Sequence, residues 1–333
     1  MPKVLLTLPL PQPAPQWLGD AAEVGVIGHI PSEPELATAV AEGVDVLCAQ
    51  LRDPVTSRVL EAGKGRLRAV SLYAVGYNNV DMVAATSRGV IVTNTPGVLT
   101  DATADCAMGL LLACARRIVE GNTVMHTGHF EGWEPDYMLG LELKGATLGI
   151  IGMGRIGQAV ARRARAFGMN IVYAGARKEL PPDLADARPL PLEELLAASD
   201  VVSLHVPLAE DTYHMINART LALMKRNAIL VNTSRGPVVD EEDLVTALRE
   251  NIIGGAGLDV YESEPRPAPG LIECENAVLT PHLGSATTQT RRAMAELCAR
   301  NALSALAGEL PKNTLNPRAW KKMPPPLIKP FPF

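Results

Sequence analysis

One stretch restricts the possible folds of this chain more than any other. Thr147 to Ile151 is a short apolar run, Gly-Met-Gly-Arg-Ile-Gly follows at 152–157, and an amphipathic pattern continues to Phe167. A buried strand, a glycine turn and a helix opening in that order make a dinucleotide-binding unit. Gly152 is expected to allow the tight turn and Gly154 to let a pyrophosphate approach the backbone. Gly157 is expected to let the helix pack closely on the sheet, while the first N–H groups, from Arg155 and Ile156 onward, face the phosphates. A glycine turn that only packs a helix is the alternative. The strand before it and the helix after it favour the nucleotide.

The rest of the chain agrees with an α/β enzyme of two domains. At 333 residues with 47% hydrophobic content it can fill two cores. Its net charge of −5 is spread without long runs of one sign, which argues against nucleic acid or an anionic membrane as partner. Cys48, Cys106, Cys114, Cys274 and Cys298 are scattered, odd in number and never paired as Cys-x-x-Cys. That fits reduced thiols in a cytoplasmic protein rather than a disulfide frame, and no metal site is expected. The first residues superficially suggest a secretory signal, but Pro9, Pro11 and Pro13 interrupt the apolar run. They are read as a strand, 4–8, followed by a loop.

Before residue 100 the pattern is βα: strands at 4–8, 44–49, 68–72 and 89–94, with helices near 34–42 and 56–62. A long helical pattern starts at Thr100, and a polar, aromatic segment occupies 126–142. Strands are expected at 170–174, 200–206, 228–232, 255–260 and 277–280. The last helical pattern, from Thr288, has no later sequence with which to form a core, so the chain is expected to return to its first domain. The expected architecture is two doubly wound Rossmann-like lobes with a cleft between them, the first lobe discontinuous. The predicted boundaries are 1–99 with 286–317 for a substrate-binding domain, 100–285 for the dinucleotide-binding domain, and 318–333 for a proline-rich tail read as an extended strap.

Ligands of such sheets sit beyond the carboxyl ends of the strands. There this sequence places Asn232-Thr233-Ser234-Arg235-Gly236, then Asp259 through Glu264, then Pro281-His282-Leu283-Gly284. Hydride reduction of a 2-keto acid needs a cation for the substrate carboxylate, a proton donor for the nascent alkoxide and a carboxylate to keep that donor charged. Arg235, His282 and Glu264 can fill those roles in that order. Singly, each could be a surface ion-pair partner, a capping residue or a solvated loop charge; three complementary types at three strand ends favour catalysis. Asp259 can accept from a nicotinamide carboxamide, the favoured reading, or cap the turn after it. His29, His126, His129, His205 and His214 lack comparable company and are read as structural or surface residues.

From about residue 4 to Pro317 the chain resembles the D-2-hydroxyacid dehydrogenases, and within them the glyoxylate and hydroxypyruvate reductases. The resemblance is carried by Ala-Val-Gly-Tyr-Asn-Asn-Val-Asp at 74–81 and Thr-Pro-Gly-Val-Leu-Thr-Asp-Ala-Thr-Ala-Asp at 95–105. It continues through the glycine turn at 152–157, Asn-Thr-Ser-Arg-Gly-Pro-Val-Val-Asp at 232–240, Gly-Leu-Asp-Val-Tyr-Glu-Ser-Glu-Pro at 257–265 and Pro-His-Leu-Gly-Ser-Ala-Thr at 281–287. It implies that Arg235, Glu264 and His282 are the catalytic set, with Glu264 rather than Glu262 paired to the histidine. It also implies that the backbone at Val75 and Gly76 clamps the substrate carboxylate, that Leu51 and Arg52 border the pocket, and that Thr103 lies against the nicotinamide. Further cofactor contacts are expected from Val206 and Pro207, from Thr233 and Ser234, and from Gly284. Trp133 matches a tryptophan that in some reductases reaches the neighbouring subunit's site; the alternative is an arm residue packed in the interface of a homodimer.

In NAD-specific folds an acidic residue ends the second strand of the nucleotide unit. Here that position falls near Gly175, with no acid close by, and Arg177 and Lys178 could pair with a 2′-phosphate. NADPH is therefore expected over NADH, the alternative being that the two cations form a solvated turn. The expected activity is reduction of glyoxylate or hydroxypyruvate to glycolate or D-glycerate. A D-lactate or phosphoglycerate type of dehydrogenase, or a non-enzymatic NAD(H)-sensing corepressor, is the alternative. Phosphite oxidation is disfavoured because Val75 stands where such relatives carry a lysine.

Overall fold

A computed structural model describes residues 1–176, 179–322 and 325–331. The chain divides into two compact units, Met1–Leu99 with Thr287–Phe333, and Thr100–Ala286.

The first unit begins with β1 (Lys3–Leu6), α1 (Ala14–Ala21) and β2 (Glu23–Val26). It continues through α2 (Glu33–Ala41), β3 (Val46–Ala49), α3 (Ser57–Ala62), β4 (Ala69–Leu72), α4 (Met82–Arg88) and β5 (Ile91–Thr93). The strands form one parallel sheet in the order β2-β1-β3-β4-β5. β3 and β4 are buried along their whole length, as strands covered on both faces must be. Four of these elements depart from expectation, one being α4, since no helix is expected between the strands at 68–72 and 89–94. The segment read as a loop after β1 contains α1 and β2: Pro13 and Pro15 sit at the helix N-terminus, where no N–H is required, so they start a helix instead of forbidding one. β2 is short and half exposed, and therefore lacks a strong apolar signal. The strand expected from 89 begins at Ile91, because Gly89 caps α4 in the left-handed region at φ 76°.

The second unit opens with α5 (Thr100–Ala115) and α6 (Ile118–Thr127), then runs β6 (Thr147–Ile151), α7 (Arg155–Ala166), β7 (Asn170–Ala174) and β8 (Arg188–Pro189). It continues with α8 (Leu192–Ala198), β9 (Val201–Leu204), α9 (Ala218–Leu221), β10 (Ile229–Asn232), α10 (Glu241–Arg249), β11 (Gly255–Leu258) and β12 (Ala277–Leu279). The seven strands are parallel in the order β12-β11-β10-β9-β6-β7-β8. Helices α5 and α7 cover one face and α8, α9 and α10 the other, each with its own apolar core. The strand order reverses between β6 and β9, so the crevice for a ligand lies beyond their carboxyl ends.

After Ala286 the chain re-enters the first unit as α11 (Thr288–Leu306), which packs on α1, β3 and β4. The tail differs from an extended strap in that Pro317–Lys322 form a 3-10 turn. Beyond it the Arg68 guanidinium donates to the Pro325 carbonyl at 2.5 Å, and the Leu327 N–H to Leu306 at 2.8 Å. Among the described residues no helix is long and apolar enough to cross a membrane.

Candidate active site

The glycine turn after β6 assigns each glycine a separate duty. Gly152 has φ 100°, and a Cβ there would lie 2.6 Å from the backbone of His205, which follows β9. The two strand ends at the reversal point can therefore close up only on glycine. A Cβ on Gly157 would lie 2.2 Å from the Gly152 carbonyl oxygen, so this position sets the approach of α7 to the turn. A Cβ on Gly154 would meet nothing within 4 Å. Gly154 is also the N-cap of α7 and no side chain caps that end, which leaves a positive helix terminus beside open space. These features fit a dinucleotide pyrophosphate. Gly175 follows β7 directly, its would-be Cβ 3.8 Å from Gly152 Cα. Arg177 and Lys178 lie outside the described residues.

Val206 and Pro207 follow β9, Thr233 and Ser234 follow β10, and all four lie at the same end of the sheet. Ser234 donates its hydroxyl and its N–H to Asn232 Oδ1 at 2.8 and 3.0 Å. Thr233 Oγ1 is buried with no hydrogen-bond partner, a cost that a bound polar group would relieve. Thr103 of α5 is buried, and its hydroxyl oxygen lies 3.6 Å from the position a Cβ would take on Gly284.

Arg235, Glu264 and His282 come together at the ends of β10, β11 and β12. Nδ1 of His282 lies 3.0 Å from both Glu264 oxygens. Burial pushes the Glu264 carboxyl upward, but the His282 hydrogen bond and charge, the Tyr261 N–H and the Arg235 charge prevail and hold it below its usual range. Burial likewise lowers the Arg235 guanidinium, with the Glu264 carboxylate acting the other way. The convergence depends on Gly236, because a Cβ there would lie 1.9 Å from the carbonyl of Tyr261. No other residue lets the loop carrying Arg235 pack so closely on the loop carrying Glu264.

His282 itself is left-handed, at φ 57°. Asp259, buried at the end of β11, holds that turn: it accepts from the Thr280 hydroxyl at 2.6 Å and from the N–H groups of Leu283 and Gly284 at 2.6 and 2.7 Å. These hydrogen bonds cap the His282 turn, as in the alternative reading of Asp259. His214, expected to lack company, has charged partners. Its Nε2 is 2.6 Å from Glu262 and its Nδ1 3.1 Å from Asp240, with Tyr213 stacked on the ring at 4.0 Å. The two neighbouring glutamates therefore serve different histidines. His205 has a ring nitrogen buried without a partner, and burial pushes its pKa down to about 4. No local pattern signalled these pairings, since Glu262 lies 48 residues from His214 in sequence.

The residues expected at the substrate in the first unit follow the carboxyl ends of two interior strands, β3 and β4. Leu51 and Arg52 follow β3 in a turn held by Asp53, whose Oδ2 accepts from the Thr7 hydroxyl and the Gln50 N–H, both at 2.5 Å. Val75 and Gly76 follow β4, and the Val75 carbonyl accepts from Asn94 Nδ2 at 2.8 Å. Trp133 is 81% exposed in the segment after α6.

Residues 108–284 match the family model for the D-isomer specific 2-hydroxyacid dehydrogenase NAD binding domain. A glyoxylate reductase of Thermococcus litoralis is 47% identical over 97% of this chain and 99% of its own. The TT0316 protein of Thermus thermophilus superposes with a TM-score of 0.87 at 46% identity, covering 94% of this chain and 99% of its own. An NADPH-dependent glyoxylate/hydroxypyruvate reductase of Sinorhizobium meliloti, solved with NADP and malonate, superposes with a TM-score of 0.84 at 33% identity, covering 94% and 96%. With its parallel Rossmann-like sheets and nicotinamide-binding unit, the chain belongs to the D-isomer specific 2-hydroxyacid dehydrogenases and is an NAD(P)-dependent oxidoreductase.

Proposed function

We propose that this enzyme reduces small 2-keto acids, glyoxylate and hydroxypyruvate, to glycolate and D-glycerate with NADPH. The observation that carries the reading is the His282 imidazole seated on the Glu264 carboxylate within the field of Arg235, at the carboxyl ends of β10, β11 and β12. The glyoxylate reductase name of the T. litoralis relative and the substrates named for the S. meliloti enzyme support the choice of keto acid.

When bound, the nicotinamide supplies a hydride to the keto carbon. With Nδ1 of His282 engaged by Glu264, Nε2 is left to deliver the proton to the developing alkoxide. Glu264 stays ionised through the working range and stabilises the imidazolium before that transfer. Arg235 takes the substrate carboxylate, a role suited to a guanidinium with two parallel N–H donors. Asp259 keeps the His282 turn rigid, so the proton donor does not have to be ordered at each turnover.

The preference for NADPH is supported by β7 leading into Gly175 with no acidic residue and by Arg177 and Lys178 in the sequence just beyond. A homodimer is supported by α6, which buries none of its residues and leaves Ile118 54% and Met125 62% exposed, next to the exposed Trp133. Five free thiols support a cytoplasmic setting.

The test is kcat/KM for glyoxylate, hydroxypyruvate, pyruvate and 2-ketogluconate with each nicotinamide. Glyoxylate or hydroxypyruvate with NADPH should rank first. Equal or better rates with NADH remove the cofactor preference, and cofactor binding without turnover of any keto acid removes the reductase.

A further inference from the structure

Glu241 opens α10 and is buried, with 2% of its surface exposed. One of its oxygens accepts the Glu262 N–H at 2.5 Å and the other the Ala268 N–H at 2.7 Å. The N–H of Glu241 returns a longer bond, 3.3 Å, to Glu262 Oε2. Two donors that bracket a short turn thus end on one carboxylate, and that turn carries Glu264. The chain just before Glu241 is the segment that carries Arg235.

We propose that Glu241 is a positioning residue, whose carboxylate clamps the 262–268 loop so that Glu264 stays on Nδ1 of His282 and next to Arg235. This rests on His282 being the proton donor. A carboxylate is required because both oxygens must accept; an amide of the same shape would turn a donor toward one of the two N–H groups. Such a group is costly to enclose: burial raises the Glu241 carboxyl, Glu262 and Glu264 push it the same way, and the two backbone donors oppose them. Charged groups surround the device on every side. Glu264 faces His282, Arg235 and the Tyr261 N–H, Glu262 faces His214, His214 faces Asp240, and Asp259 underlies the His282 turn.

The experiment measures kcat/KM for keto-acid reduction against pH, with cofactor Kd by fluorescence, in Glu241→Gln, Glu241→Asp and Glu264→Gln. Losing the carboxylate that lies on Nδ1 removes the charge that stabilises the protonated donor, so the high-pH limb of the reduction profile moves to lower pH. Glu264→Gln should show the full displacement. Glu241→Gln should show a displacement in the same direction of about half a unit or more, a roughly tenfold fall in kcat and a cofactor Kd within about twofold of wild type. Glu241→Asp keeps the charge but reaches one N–H only, and gives the same readout if the Gln variant does not fold. A wild-type limb in both Glu241 variants, with the limb displaced in Glu264→Gln, overturns the positioning role alone. An unmoved limb in Glu264→Gln overturns the proton-donor assignment instead.

Discussion

Nδ1 of His282 is equidistant from the two oxygens of Glu264, at 3.0 Å, although 18 residues separate them in sequence. The relationship leaves Nε2 as the working nitrogen. His282→Ala should lower kcat by ~100-fold or more while cofactor Kd changes little, because the glycine turn that fits a pyrophosphate follows β6, four strands from β12. Steady-state kinetics and a fluorescence titration decide this, and wild-type turnover would discard the assignment.

Gly236→Ala is expected to disable the enzyme through the backbone. The new methyl would lie 1.9 Å from the Tyr261 carbonyl, so the loops carrying Arg235 and Glu264 must part. A loss of about 2–4 kcal/mol of stability with a fall in kcat of ~100-fold follows. Urea unfolding and kinetics measure the two effects, and an active variant of wild-type stability contradicts the account.

The glycine turn separates a binding effect from a folding effect. Gly154→Ala places a methyl in open space, so Tm should hold while cofactor Kd rises about tenfold or more. Gly157→Ala meets the Gly152 carbonyl oxygen at 2.2 Å and should cost about 2–4 kcal/mol of stability. Identical behaviour of the two variants in both assays would contradict these separate roles.

His205 makes stability depend on pH. Its folded pKa, about 4, lies below the ordinary 6.5, so below 6.5 the unfolded chain binds the extra proton. Its contribution is complete above pH 6.5 and is lost as pH falls toward 4, on the order of 2 kcal/mol for a residue that keeps some exposure. In His205→Gln the fall in unfolding free energy across that window should be shallower. An unchanged slope would show that the ring is already charged in the folded protein.

Much of this protein is readable along the chain because it rests on local relations. The run from Thr147 to Phe167 dictates strand, turn and helix through residues in contact with near neighbours, and the predominantly apolar strands β3 and β4 announce a sheet covered on both faces. The residue types suited to acid catalysis also stand at strand ends, which periodicity locates to within a few positions. Other features exist only after folding. α1 is hidden because proline forbids a helix interior but favours its first turn, and only the three-dimensional position distinguishes the two cases; β2 is hidden because it is short and half exposed. Glu262 and Glu264 are alike in sequence; the path of one turn sends the first to His214 and the second to His282. Glu241, like any glutamate at a helix start, reads as a solvated charge until two distant N–H groups are found on its oxygens. Strand, turn and helix arise from neighbours along the chain, whereas a hydrogen bond between residues dozens of positions apart is settled by which loops the packed sheet brings within 3 Å.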